Sequence, residues 1–341
     1  MSAPPPVVVV GAGIAGLACA RELARAGRPV SVLERARGVG GRCATHRLDG
    51  QPFDIGPAFL HGRDPDFLRV LREVPAPRVE GWPREIRGAG APCQPEAFRT
   101  GEQRLVFAEG LTAFPKHLAE GLPVHAGRDV TALRLDGGRV QLTGPGGDVV
   151  EARQVVLALA PEQVLRLLPA GPEAPRAVAS LRAVVEMAVS EAALALAAIY
   201  PPGTAVPGWD VWYPEASRVL QILVHDSAKR AGEARVGLVL QARPAWSREH
   251  LDDPDWPRAL LDEAGRVAGA WAAAPSATHA HRWRYARSDL ASELAGPVLL
   301  QLPGGQELGV CGDRFARGGG AEAAWISGRE LGRRLAAQEV A

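Results

Sequence analysis

A chain of 341 residues with 47% apolar side chains can fill one large core or two modest ones. Its formal charge of +1, with arginine dispersed along the chain, excludes the strong field that draws in nucleic acid or an anionic membrane. Four cysteines, Cys19, Cys43, Cys93 and Cys311, without a CxxC pair exclude a disulfide framework and fit buried thiols in a reducing compartment, so a cytoplasmic location is expected.

Met1-Ser2-Ala3-Pro4-Pro5-Pro6 lacks the basic start of a secretory leader, and the apolar run after it has another use. Val7-Val8-Val9-Val10 reads as a central parallel strand that meets Gly11-Ala12-Gly13-Ile14-Ala15-Gly16 where a strand turns into a helix. Gly11 permits the turn, Gly13 clears the approach of a pyrophosphate, and Gly16 lets helix and strand pack closely. The helix N-terminus then offers unpaired N–H groups to the phosphates. Ala20 and Leu23 continue its apolar face, Gly27 ends it, and Val30-Ser31-Val32-Leu33 forms the next strand. Glu34 closes that strand about twenty residues past the glycines, the place from which an acid accepts hydrogen bonds from both ribose hydroxyls.

A GxGxxG alone also fits a βαβ unit without ligand, and Arg42 alone fits an exposed turn. Gly40-Gly41-Arg42, however, stands eight residues past the acid, and this spacing resembles the longer signature of the two-dinucleotide-binding flavoproteins. In that resemblance the cofactor is FAD, and Gly41 and Arg42 approach its pyrophosphate from the second side, the arginine as a fork of charged donors.

Asp49-Gly50 is a hairpin turn, and Phe53-Asp54-Ile55-Gly56 resembles the FD-x-G segment that passes the isoalloxazine ring in flavin amine oxidases. By the same resemblance Gly56, Pro57 and Ala58 touch the cofactor, and Phe59 and His61 lie near the flavin, although a histidine in such a loop also serves by bonding backbone. Asp64-Pro65-Asp66 caps a helix that runs to Val74 with Phe67, Leu68 and Leu71 inward. From Pro75 to Thr100 the prolines, the glycines and Trp82 follow little periodicity, which marks departure into a second domain. Phe107 to Leu118 resembles the segment that returns such flavoproteins to the first domain.

Val130 to Leu135 and Val140 to Thr143, joined by Asp136-Gly137-Gly138-Arg139, form a hairpin. The resemblance puts Val130 against adenine through its backbone. Arg153 to Ala160 is the next core strand. Strands are expected at Val185 to Leu196, Val219 to Val224 and Val236 to Ala242, and helices at Ser247 to His250 and Asp255 to Ala270, an antiparallel sheet backed by helices. Ala183 to Tyr200, the nearest candidate for a membrane span, is interrupted by Glu186 and Glu191, so no span is expected.

The segments Gln241-Ala242-Arg243-Pro244-Ala245-Trp246-Ser247-Arg248-Glu249-His250-Leu251 and His281-Arg282-Trp283-Arg284-Tyr285-Ala286 resemble stretches of bacterial renalase-like proteins, a compact branch of the amine oxidase superfamily. Leu308 to Asp313 reads as a buried strand ending in an acid, and Gly318-Gly319-Gly320 opens a helix from Ala321 to Ala337. In the resembling flavoproteins Gly312 and Asp313 contact the ribityl chain, and the helix N-terminus at Ala321 faces the pyrimidine edge, where reduced flavin gathers negative charge. Cys311 lies outside the pattern of a covalent flavin linkage, so the FAD is expected to be noncovalent.

The expected fold is therefore α/β: a FAD-binding Rossmann-like domain of residues 1–74, 112–165 and 297–341, with a discontinuous α+β substrate domain of residues 75–111 and 166–296. The expected cofactor contacts are Gly11, Ala12, Gly13, Ile14, Ala15, Gly16, Glu34, Arg35, Gly41, Arg42, Gly56, Pro57, Ala58, Val130, Gly312, Asp313 and Ala321. The substrate-side candidates are Phe59, His61, His225, Asp226 and Trp283, where Trp283 also reads as core and Asp226 as a turn acid.

No metal-ligand motif, Ser/His/Asp signature or P-loop competes with flavin chemistry. The resemblance implies an oxidase that moves a hydride from a small reduced nitrogen-containing substrate to FAD and on to molecular oxygen. A dihydronicotinamide isomer is the leading substrate, with an amine oxidase, a pathway-specific desaturase or a non-catalytic flavin-binding module as alternatives. Asp226-Ser227-Ala228-Lys229 stands where renalase-like chains often carry Asn-Ser-Ser-Lys, and Phe59 where a tyrosine is common. An acid at 226 would favour a cationic substrate.

Overall fold

Val7–Val10 is buried on both faces, as an all-apolar run must be, and it forms the centre of the main sheet in the computed structural model, which describes residues 6–172, 174–232, 235–288 and 292–338. Met1 to Pro5 of the leader reading lie outside the described residues. Chain contacts divide the protein into two units: residues 1–41, 114–190 and 288–341, and residues 42–113 and 191–287.

The first unit is a six-stranded sheet in the order Val298–Gln301, Glu307–Val310, Gln154–Leu157, Val7–Val10, Val30–Glu34, Val124–Ala126. All neighbours are parallel except the edge strand Val298–Gln301, which runs antiparallel to Glu307–Val310. The helix Ile14–Arg25 follows the first strand and packs on the final helix, Gly320–Ala336. Their close approach depends on small residues. A Cβ at Gly328 would lie 2.0 Å from the Ala15 carbonyl oxygen, and one at Gly332 2.6 Å from that of Cys19. A three-stranded antiparallel sheet, Ala132–Asp136, Arg139–Thr143 and Val149–Ala152, completes this unit, with the expected hairpin turned at Gly137 and Gly138, both at positive φ.

The second unit holds a six-stranded mixed sheet ordered Ala277–Ser288, Ser190–Ile199, Gly237–Ala242, Leu220–His225, Val211–Trp212, Ile86–Arg87. Strand alternation divides its side chains. Leu194, Leu196, Leu223, Leu238 and Leu240 face the helix Trp256–Ala268, whose Trp256, Leu260 and Ala264 join the same core. On the opposite face Gly237 makes room for the hairpin of Thr45–Leu48 and Gln51–Asp54, since a Cβ there would come within 2.8 Å of the Phe53 ring. Leu60–Gly62, Gln103–Phe107 and Arg78–Glu80 form a small antiparallel sheet.

The structure corrects two expectations. Val185 belongs to a helix, Arg176–Glu186, and the strand begins only at Ser190. Val178, Leu181 and Val185 are buried at helical spacing, but the apolar run continues into the next element and hides the break. The unit boundaries also differ from the expected partition. Residues 42–74 group with the second unit, because Leu60–Gly62 pairs with Gln103–Phe107, and residues 166–190 group with the first, where Val178, Leu181 and Val185 enter its core.

Candidate functional site

In the first unit, Gly11 has φ +104, and a Cβ there would lie 2.5 Å from the Ala158 carbonyl oxygen. At Gly16 a Cβ would lie 2.0 Å from the Gly11 oxygen, so both positions demand glycine to build the turn. Gly13 differs. A Cβ there meets nothing within 4 Å, so its small size is not explained by packing within the protein and leaves space open at the start of the Ile14–Arg25 helix. The first N–H groups of that helix, from Ile14, Ala15 and Gly16, have no carbonyl of their own helix to bond, and they carry the positive end of its dipole. Gly40 donates its N–H to the Ala12 carbonyl at 2.9 Å, and Gly41 comes close enough that its Cβ would lie 3.5 Å from the Gly13 Cα. A glycine-lined cradle with a cationic field results, which suits a pyrophosphate.

Glu34 is buried at the end of its strand and held rigidly. Its two carboxylate oxygens accept from Ala12 N–H and Ala36 N–H, each at 2.8 Å. Each oxygen keeps a second acceptor direction, the requirement for bridging two ribose hydroxyls. Arg35 beside it is exposed. Leu33, Arg128, Asp129, Val130 and Leu142 line a small hollow next to this strand end, where Val130 was expected to contact adenine. Asp313 and Gly312 are buried after the strand Glu307–Val310, and Ser327 clasps Gly312 by accepting its N–H at 3.1 Å and donating to its carbonyl at 2.7 Å. Gly318, Gly319 and Gly320 all have positive φ and lead into the last helix, with Ala321 half-buried in its first turn. These residues fit a dinucleotide. Cys311 is buried, and burial pushes its thiol up to about 12.

In the second unit the FD-x-G segment is anchored from several sides. Gly56 is obligatory, because a Cβ would lie 1.9 Å from the Arg42 carbonyl oxygen. Arg42 is half-buried and reaches the Ala286 carbonyl at 3.4 Å. Trp283 donates its indole N–H to the Ile55 carbonyl at 3.0 Å, and the Gln241 amide donates to the Gly56 carbonyl. Arg287 in turn donates to the Gln241 oxygen at 2.9 Å. Gly56 and Pro57 are half-buried, and Ala58 is buried. Gln241 and Arg287 carried no role in the sequence reading; the signal for both was their place on the same sheet face as Trp283, which strand alternation alone could have supplied.

Asp54, the acid of this segment, is a hub. One oxygen accepts from Thr45 Oγ1 at 2.7 Å and from Leu111 N–H at 2.8 Å, and the other meets Lys229 Nζ at 2.9 Å. Lys229 Nζ also lies 2.6 Å from Asp226, whose second oxygen accepts from Arg230 at 2.6 Å. All four side chains are nearly or wholly buried, and two carboxylates balance two cations.

Of the five substrate-side candidates, Phe59 and His61 meet at 6.4 Å between ring centres, and the others have different partners. Asp226 is fully buried, and its charge is spent inside the protein: burial pushes the carboxyl up, but Lys229 and Arg230 outweigh it and hold the group below its usual range. The argument from Asp226 to a cationic substrate therefore fails. His225 extends toward the helix-covered core, where it packs against Trp209 at 6.2 Å between ring centres, and burial lowers its pKa. Phe59 is 1% exposed and sits among Trp82, Phe98 and His61 at 6.0 to 6.4 Å between ring centres. His61 is buried and paired with Glu102 at 2.9 Å. Of the five, Trp283 is the one that bonds the FD-x-G segment.

Two family models match the chain: the NAD(P)-binding Rossmann-like domain over residues 9–74 and the flavin containing amine oxidoreductase over residues 79–190. Among curated proteins, the chain is 36% identical over 130 residues to a putrescine oxidase of Kocuria rosea, a match covering 36% of this chain and 26% of that one. It is 48% identical over 86 residues to a zeta-carotene-forming phytoene desaturase of Myxococcus xanthus, covering 21% and 17%. The chain thus matches about a quarter or less of the length of these relatives. Among solved structures, cyclohexylamine oxidase from Brevibacterium oxydans superposes with a TM-score of 0.73 at 16% identity, covering 98% of this chain and 99% of that one. Wild-type putrescine oxidase bound to putrescine superposes at 0.69 and 16% identity, covering 98% and 99%. The fold is that of these oxidases, and the matches support the flavin amine oxidase superfamily.

Proposed function

We propose that this chain is a member of the flavin amine oxidase superfamily, a reading its matches support, and a FAD-dependent oxidoreductase that binds its cofactor noncovalently and oxidises a small nitrogen-containing molecule. The observation that carries the reading is the open space at Gly13, set between the helix start at Ile14 and the positive-φ turn at Gly41, with Glu34 fixed at the strand end.

FAD, when bound, supplies the hydride acceptor and the return of electrons to molecular oxygen. The residues of the chain bind, orient and shield. Ile14, Ala15 and Gly16 offer N–H groups to the pyrophosphate, Glu34 holds the ribose, and Asp313 and the start of the last helix serve the ribityl and pyrimidine end. Trp283 and Gln241 fix the Ile55-Gly56 backbone, and the buried cluster of Phe59, Trp82 and Phe98 keeps water from one flank of that unit.

Within this reading a renalase-like oxidation of dihydronicotinamide isomers comes first. It rests on the two segments around Trp246 and Trp283, and it is supported by the burial of Asp226, which leaves no acid at that position to select a cation. The relatives named as amine oxidases and desaturase keep amine oxidation or desaturation as the second reading. Anaerobic mixing of the oxidised protein with dihydronicotinamide isomers and, separately, with an amine panel distinguishes them. Bleaching of the flavin by the isomers, reversed by air with peroxide formed, is expected. Bleaching only by amines selects the second reading, and bleaching by no donor leaves a flavin-binding module.

A further inference from the structure

Three histidines that the flavin site does not use meet on the second unit. His46 comes from the hairpin strand Thr45–Leu48, and His279 and His281 come from the edge strand Ala277–Ser288, two residues apart and therefore on one face. One ring nitrogen from each lies within 4.8 Å of the others, and all three side chains are half-buried. His46 and His279 stack at 4.9 Å between ring centres. His279 Nε2 is buried and makes no hydrogen bond among the described residues, a position that costs free energy unless some ligand takes up its lone pair or its proton.

We propose that His46, His279 and His281 form a binding site for a divalent transition-metal cation of borderline softness, of the zinc and copper class. Three imidazoles are the donor set that such ions prefer, and a fourth position stays open to water or another ligand. In a tetrahedral site with metal–nitrogen bonds of about 2.0–2.1 Å the nitrogens stand about 3.3 Å apart, so the present span must contract by about 1.5 Å, within reach of side-chain rotation. Trp283 packs against His281 with the rings tilted by 54° at 4.1 Å between centres and limits its rotation. The ion would clip the hairpin to the edge strand of the sheet.

The test uses untagged, flavin-loaded protein stripped with a chelator. Zinc titrated against a chromophoric competitor is expected to bind at one equivalent and to raise the melting temperature. Copper(II) is expected to give an electron paramagnetic resonance spectrum with hyperfine splitting from equatorial nitrogens. His279→Gln and His46→Gln, checked by their flavin spectrum for a native fold, should each weaken zinc at least tenfold and remove the nitrogen pattern. If one variant does not fold, the other decides. Absence of a stoichiometric zinc site, or equal affinity in wild type and folded variant, overturns the proposal and leaves a packing cluster of rings. Because flavin content is read independently, failure here does not touch the oxidoreductase reading.

Discussion

Lys229 Nζ lies 2.9 Å from the Asp54 carboxylate, with both side chains no more than 1% exposed, so a lysine far along the chain neutralises the acid of the flavin-segment motif. The same ammonium holds Asp226. Removing it leaves two buried carboxylates against Arg230 alone. Lys229→Met is expected to cost about 3–5 kcal/mol, the range for breaking a buried pair by deleting one partner. Urea midpoints measure it, and a loss under about 1 kcal/mol would mean that water reaches the cluster and screens it.

Gly13 and Gly16 separate binding from folding. Gly16→Ala forces a Cβ onto the Gly11 carbonyl and should lower stability by several kcal/mol or abolish soluble protein. Gly13→Ala meets no protein atom, so the fold should persist while FAD affinity falls at least tenfold, about 1.4 kcal/mol. Equal FAD affinity in Gly13→Ala and wild type would remove the pyrophosphate from this cradle.

His225 gives the stability a pH dependence of defined sign. Its folded pKa lies below the unfolded value of 6.5, chiefly through burial, so between those two values the unfolded chain binds more protons. Stability is therefore expected to fall as pH drops from about 6.5, and His225→Phe to flatten that slope. Asp226, lowered below 3.8, adds a separate loss at still lower pH, as acid protonates it and its cation partners lose their carboxylate. A His225→Phe variant with the wild-type slope would place the acid sensitivity elsewhere.

Trp283 positions the backbone through one hydrogen bond to Ile55, so Trp283→Phe keeps most of the packing and deletes the donor. Flavin content should remain near one equivalent, while the rate of flavin reduction falls several-fold and binding of FAD changes little. A variant that reduces as fast as wild type would make Trp283 merely part of the core.

The dinucleotide half of the molecule was legible because its constraints are local. Gly11, Gly13, Gly16 and Glu34 stand at spacings dictated by one strand, one turn and one helix, and the hairpins at Asp49-Gly50 and Gly137-Gly138 declare themselves through residues that tolerate positive φ. Asp226 and His225 were misread because their meaning depends on partners from distant segments: an exposed turn acid and a buried ion-pair acid look alike in sequence. The histidine cluster was invisible for the same reason, since no spacing rule links His46 to a strand so much later in the chain. Val185 shows the limit of hydrophobic patterning, where a helix end and a strand start merge into one apolar run.

The most direct test of the central claim is the flavin itself. Denaturing the purified protein under mild acid and quantifying the released chromophore should yield close to one equivalent of FAD with none left on the polypeptide. A colourless protein that takes up no added FAD would contradict the account.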